Sequence, residues 1–240
     1  MKVFAHRGFS GKYPENTLLA FQKAEQAGAD GIEMDVHLSK DGQLMIIHDE
    51  LLARTTGKEG KVSDYTSREL SSINAGKTFA DSYGITPIPR FEEYCEFLQS
   101  NTMISNVEIK TDNTYYPRIE EKALEVIRHY HLEDRVIFSS FNWLSVARIK
   151  QLEKAIPCGL LYGDSSVRNI GALARTFGIE YCHPSIALVD DEMVRECREQ
   201  QIGLNVWTVN TPEQIEALRH WNVAGAISNF PDMCLDVLKR

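Results

Sequence analysis

Titratable residues recur at the ends of short apolar runs in this 240-residue chain, and their types suit acid–base and metal chemistry. The first run, residues 3–5, leads into His6-Arg7-Gly8. Residues 31–36 carry Glu33 and Asp35, and residues 44–47 end in His48-Asp49. Residues 103–109 carry Glu108 and are followed by Lys110, and residues 203–206 end in Trp207-Thr208. On a strand, residues two apart point to the same side, so Glu33 pairs with Asp35 and Glu108 with Lys110. Carboxylates brought close repel each other unless they are protonated or bridged by a cation. Three carboxylates without a thiolate make a hard oxygen site that suits Mg²⁺ or Ca²⁺ over Zn²⁺. The plainer alternative is a carboxylate–Arg/Lys network that only fixes the architecture. His6 and His48 add two imidazoles, one able to take a proton and the other to give one near neutral pH. His37 shares the parity of Glu33 and Asp35 but is expected past the strand end. His129, His131, His183 and His220 are expected on helix ends or outer positions and are read as structural or solvated.

Arg7 can grip a phosphate with its fork, and Lys110 offers a point charge. With a divalent ion, three carboxylates, Arg7 and Lys110, a site with neutral histidines carries one net positive charge. That balances a phosphodiester better than a phosphomonoester, which carries closer to two negative charges. Neither a nucleotide-binding glycine loop nor a G-x-S-x-G nucleophile turn is present.

These groups need a frame, and the periodicity supplies one. Strand-like segments at 3–6, 31–36, 44–48, 103–109, 136–139, 158–162, 180–183, 203–208 and 225–228 alternate with helical patterns at 17–27, 90–99, 117–130, 142–155, 166–177, 191–200, 212–220 and 231–238. Such alternation predicts parallel strands joined by right-handed crossovers. About eight units at this length predict an α/β fold, a closed (β/α)₈ TIM barrel over 1–240 as a single domain. Asn142 and Asp190 or Asp191 are expected N-caps, and Gly28, Gly178 and Gly203 suit left-handed helix ends. Residues 50–87 break the rhythm. They are too long for an ordinary connection and predict a small insertion subdomain after the strand ending at His48, set over the mouth of the barrel.

Composition narrows the class. Lys and Arg number 26 against 34 Asp and Glu, a net charge of −8, which argues against a nucleic-acid partner. No apolar run reaches the roughly 18 residues of a membrane span, so no membrane insertion is expected. The early polar residues do not suit a secretory signal. Cys95, Cys158, Cys182, Cys197 and Cys234 are odd in number and scattered, which predicts buried free thiols and a cytoplasmic location. The oligomeric state is left open, a homo-oligomer included.

The ordered set His6-Arg7-Gly8, Glu15-Asn16-Thr17, Glu33-Met34-Asp35-Val36, Lys40-Asp41-Gly42, His48-Asp49, Arg54-Thr55-Thr56-Gly57, Val107-Glu108-Ile109-Lys110, Ser139-Ser140-Phe141, Trp207-Thr208-Val209-Asn210 and Asn229-Phe230-Pro231 resembles the glycerophosphodiester phosphodiesterases along nearly the whole chain. That resemblance implies a (β/α)₈ barrel that hydrolyses small-molecule glycerophosphodiesters to sn-glycerol 3-phosphate and an alcohol with a divalent cation. It implies Glu33, Asp35 and Glu108 as metal ligands and His6 with His48 as the general acid/base pair, in either order. Arg7 and Lys110 would hold the phosphate, and Phe141 and Trp207 would line the pocket, Trp207 against the glycerol carbons. In the implied mechanism a glycerol hydroxyl attacks phosphorus and water then opens a cyclic phosphate. Ser228-Asn229, Val223-Ala224 and Arg90-Phe91 depart from the family pattern and are expected to lie away from the ligands and the acid–base pair. Two alternatives are a lysophospholipase D or phospholipase C-like activity on lipids, which would want an exposed apolar or basic surface, and a catalytically silent phosphodiester-binding barrel, which would not need two histidines.

Overall fold

The computed structural model describes residues 1–79, 82–163 and 167–239. Eight parallel strands close into a barrel: β1 (Lys2–His6), β2 (Gly31–Leu38), β4 (Ile104–Ile109), β5 (Val136–Ser140), β6 (Cys158–Tyr162), β7 (Tyr181–Pro184), β8 (Gly203–Val206) and β9 (Gly225–Ser228). They pair in the order β1-β9-β8-β7-β6-β5-β4-β2, and β1 pairs with β2 to complete the ring. The chain is therefore the expected (β/α)₈ barrel.

Alternation sorts the side chains. In β2, Ile32, Met34 and Val36 belong to the layer between strands and helices, and the intervening positions are Glu33, Asp35 and His37. In β4, Val107 and Ile109 do the same, leaving Asn106 and Glu108 for the interior. At one end the interior is apolar, with Phe4, Ile137 and Ile227 in a cluster of their own. Polar residues concentrate towards the C-terminal strand ends, the face on which such barrels carry their sites.

Helices α1 (Leu18–Gln26), α4 (Phe91–Gln99), α5 (Ile119–His129), α6 (Trp143–Leu152), α7 (Ile170–Thr176), α8 (Asp191–Glu199), α9 (Pro212–Trp221) and α10 (Pro231–Leu238) form the outer ring. The expected start of α7 at Ser166 lies outside the described residues. Thr17, Asn142 and Asp190 accept from the backbone N–H of Ala20, Leu144 and Met193, which satisfies first-turn donors. Gly28 and Gly178 take positive φ as expected, but Gly203 does not. It opens β8, where a Cβ would meet the Tyr181 ring at 2.7 Å, and Gln201 takes the left-handed turn.

Strand β3 (Leu44–Ile46) departs from the parallel expectation. It pairs antiparallel with the C-terminal end of β2, Val36 opposite Ile46 and Leu38 opposite Leu44. β2 thus runs past its pairing with β4 and the chain doubles back, bringing Ile47 N–H onto the Asp35 carbonyl and His48 to the mouth. Beyond it come the short helices α2 (Ala53–Thr56) and α3 (Ser67–Leu70). Leu52, Val62, Leu70, Ile73, Ala75 and Ile88 pack with Met45 and Ile47 in a cluster separate from the main core.

Candidate active site

His6-Arg7-Gly8 turns sharply at the end of β1. Arg7 has φ 54° and Gly8 φ 78°, and a Cβ on Gly8 would sit 2.7 Å from that of Ala20. The turn directs the Arg7 backbone N–H to Glu33 Oε2 at 3.0 Å. Arg7 Nη1 donates to Glu15 at 2.9 Å, and its Nε lies 3.6 Å from Asp35. Two cations therefore face the carboxylates, since Lys110 Nζ is 2.7 Å from Glu108 and 3.9 Å from Asp35.

Glu33, Asp35 and Glu108 are all buried and offer oxygens within 4.8 Å of one another. Burial, with Asp35 and Glu108 alongside, raises the Glu33 carboxyl well above its ordinary range. Burial also lifts Glu108, to about 8, against the opposing pull of Lys110. Burial would lift Asp35 as well, but the charges of His48, Arg7 and Lys110 outweigh it and hold that carboxyl well down. Asn16 donates to Asp35 Oδ2 at 2.8 Å, whereas Asp35 Oδ1 is buried without a hydrogen-bond partner among the described residues. Such an orphaned oxygen within a cluster of mutually repelling carboxylates fits a divalent cation, and the all-oxygen donor set suits Mg²⁺ or Ca²⁺.

The two histidines are anchored alike. His6 Nδ1 is 2.6 Å from Asn229 Oδ1, and His48 Nδ1 is 2.6 Å from Asp49 Oδ1. Each acceptor fixes the proton on Nδ1 and leaves Nε2 for chemistry. Burial, then the charge of Arg7, lowers His6 to about 4, so its free nitrogen carries a lone pair at neutral pH. Asp49 would be raised by burial, but hydrogen bonds from Arg54 and His48 hold it down at about 2, an anion beside His48.

His6, Arg7, Glu33, His48, Glu108, Phe141 and Trp207 line one cavity of about 110 Å³. The rings of Phe141 and Trp207 meet edge to face at 5.6 Å, and Trp207 Nε1 donates to the His183 carbonyl. A neighbouring cavity of about 310 Å³ is also lined by His48, together with Lys110, Asp49, Glu50, Asp112 and Thr114. A larger groove of about 480 Å³, bordered by α4 and α5, contains none of the site residues.

Three sequence readings need correction. His37 lies within β2, because the strand extends to Leu38; its Nε2 donates to the His48 carbonyl and its Nδ1 accepts from Tyr116. His183 is neither outer nor solvated. It is wholly buried in β7 against Asn205, and burial lowers it to about 3. Asn229 is not remote from the acid–base pair, since it holds His6. The sequence reasoning also passed over Asp49 as a partner of His48. Their adjacency was the available signal.

Comparison with known proteins decides the family. Residues 6–233 match the model of the glycerophosphoryl diester phosphodiesterase family. The chain belongs to that family. A glycerophosphodiester phosphodiesterase of Bacillus altitudinis is 41% identical over 239 residues, covering 98% of this chain and 97% of the relative. One from Caldanaerobacter subterraneus is 37% identical over 238 residues, covering 99% and 98%. Among solved structures, an Oleispira antarctica phosphodiesterase in complex with the product sn-glycerol-3-phosphate superposes with TM-score 0.93 at 26% identity, covering 100% of this chain and 97% of that one.

Proposed function

We propose that this glycerophosphodiester phosphodiesterase works with a divalent cation and two histidines of unlike role, His6 as base and His48 as acid, releasing sn-glycerol 3-phosphate and an alcohol. The observation that carries the reading is convergence. Glu33, Glu108 and two imidazoles, drawn from residues 6 to 108, border one cavity with Arg7, and Asp35 completes the carboxylate cluster within 4.8 Å. Glu33, Asp35 and Glu108 would hold the cation, which when bound supplies positive charge to the phosphate and to the attacking oxygen.

The remaining work falls to side chains. Arg7 and Lys110 bind the phosphate oxygens and neutralise charge as it develops. Phe141 and Trp207 orient the glycerol carbons. His6 Nε2, held by Asn229, takes the proton of the attacking glycerol hydroxyl as its oxygen bonds to phosphorus. His48 Nε2 gives a proton to the departing alcohol oxygen as the P–O bond breaks, and the Asp49 carboxylate stabilises the imidazolium that must exist beforehand. The alcohol's substituent has room in the 310 Å³ cavity that shares His48. Water then opens the cyclic phosphate with the two proton transfers reversed.

The 50–87 segment is read as an insertion within a single barrel domain, supported by its separate cluster. Five buried free cysteines support a cytoplasmic location. Among the described residues, no helix is long and apolar enough to cross a membrane. One observation favours a second reading, action on lysophospholipids: Leu51, Tyr115, Phe141 and Leu144 are exposed apolar groups that follow the strand ends at the mouth. The test is turnover of several glycerophosphodiesters and a lysophosphatidylcholine after metal stripping, with Mg²⁺ or Ca²⁺ added back. Glycerol 3-phosphate released only with cation is expected. Full turnover in excess chelator removes the metal from the mechanism, and faster turnover of the lysolipid transfers preference to the second reading.

A further inference from the structure

Arg54 lines neither cavity of the site, yet it is tied to both halves of it. It lies on α2, in the segment after His48. Its Nε donates to Asp49 Oδ2 at 2.5 Å and its Nη2 to Asp49 Oδ1 at 3.1 Å. Its other edge donates to Glu15, Nη1 to Oε2 at 2.7 Å and Nη2 to Oε1 at 2.8 Å. Glu15 in turn accepts from Arg7 at 2.9 Å, and Asp49 accepts from His48 at 2.6 Å. The result is an alternating chain, His48–Asp49–Arg54–Glu15–Arg7, that runs from a proton-carrying imidazole to a phosphate-binding guanidinium.

We propose that Arg54 is a positioning residue for the reaction: it fixes the plane of the Asp49 carboxylate, and through it the direction of His48 Nε2. This rests on the reading of His48 as the acid. Asp49 is about 29% exposed at its side chain and would rotate freely if His48 were its sole partner. A rigid planar fork that contacts both oxygens removes that freedom, and the grip on Glu15 anchors the fork itself. A lysine offers a single point charge and cannot set the plane. The segment bearing Arg54 is thereby part of the catalytic apparatus, although none of its atoms need touch substrate through this residue.

A leaving-group comparison separates positioning from mere support. Glycerophosphoethanolamine expels an alkoxide that needs a proton, whereas the p-nitrophenyl ester of glycerol 3-phosphate expels a phenolate that does not. For Arg54→Gln, the single-turnover rate of alcohol release from the first is expected to fall about 10²-fold, the scale of a misplaced catalytic group, while that of phenolate release from the second, which precedes the water step, stays within about twofold. Arg54→Lys should show the same split, smaller, and serves if the glutamine variant folds poorly. Asp49→Asn added to Arg54→Gln should cost less than Asp49→Asn does in the wild type, because the two act through one contact. Equal losses on the two esters in variants with wild-type melting overturn the proposal, and so does undiminished turnover of the ethanolamine diester. His48→Ala is the control. If it loses activity equally on both esters, the reading of His48 as acid fails and takes the proposal with it; if it splits them while Arg54→Gln does not, only the proposal falls.

Discussion

Cation binding should expel protons from this site. In the metal-free protein, burial holds Glu108 at about 8 and raises Glu33 too, whereas Asp35 stays ionised. At pH 7 a carboxyl with that pKa is about 90% protonated. A divalent ion takes ionised carboxylates, so Glu108 alone contributes about 0.9 proton per ion bound, and Glu33, whose carboxyl burial also raises, adds to that release. Apparent affinity should then strengthen by about tenfold per pH unit between about 6 and 8 for one proton, and by about a hundredfold for two. Stability runs the opposite way without the ion. A carboxyl whose folded pKa lies above its unfolded value costs nothing below the unfolded value and progressively more as pH rises towards the folded one. For Glu108, from 4.5 to about 8, the loss is on the order of 5 kcal/mol. Metal-stripped protein should therefore melt lower at pH 8 than at pH 6, with a larger cation-induced rise at pH 8. Titration calorimetry in two buffers of different ionisation heat counts the protons. A count of zero, with affinity flat across this pH range, refutes the reasoning.

Glu33→Ala should abolish cation-dependent turnover while leaving the barrel folded, measured by glycerol 3-phosphate release with circular dichroism as control. His6→Ala and His48→Ala should each lower kcat by about 10² or more, and a wild-type rate in either removes its assigned role. Asn229→Ala frees the Nδ1 proton of His6 and should lower kcat by about tenfold or more with KM little changed, since neither Arg7 nor Lys110 bonds to Asn229. Replacing 50–87 by a short loop should leave a cooperative barrel melt but remove most turnover, because Arg54 and the packing around Met45 and Ile47 go with it.

The residues at strand ends were readable because their placement is a local matter. Glu33 and Asp35 share a side through a two-residue period, and the apolar Ile32, Met34 and Val36 between and beside them declare which side is which. His6 and Trp207 were readable in the same way. The course of β3 was not. A run of Leu44 to Ile46 is compatible with a parallel barrel strand or an antiparallel return, and only pairing with β2 decides. His183 was misread for a related reason. A histidine in an apolar strand looks outward-facing unless the barrel interior at that level is known to be polar, and here Asn205 makes it so.

The supporting partners of the site follow a different rule. Asn229 holds His6 across 223 residues, and Glu15 meets Arg54 across 39. Periodicity cannot produce such contacts, because they exist only once β9 has closed against β1 and the segment after β3 has folded over the turn that follows β1. The titratable side chains at the strand ends are thus specified by local alternation, whereas the partners that hold them in place are specified by closure of the ring. A variant that slips β9 against β1 should therefore keep the carboxylate cluster, which sits on β2 and β4, and lose the orientation of His6 first. Cation affinity would survive such a slip while kcat fell, and equal loss of both would show that cluster and base depend on closure alike.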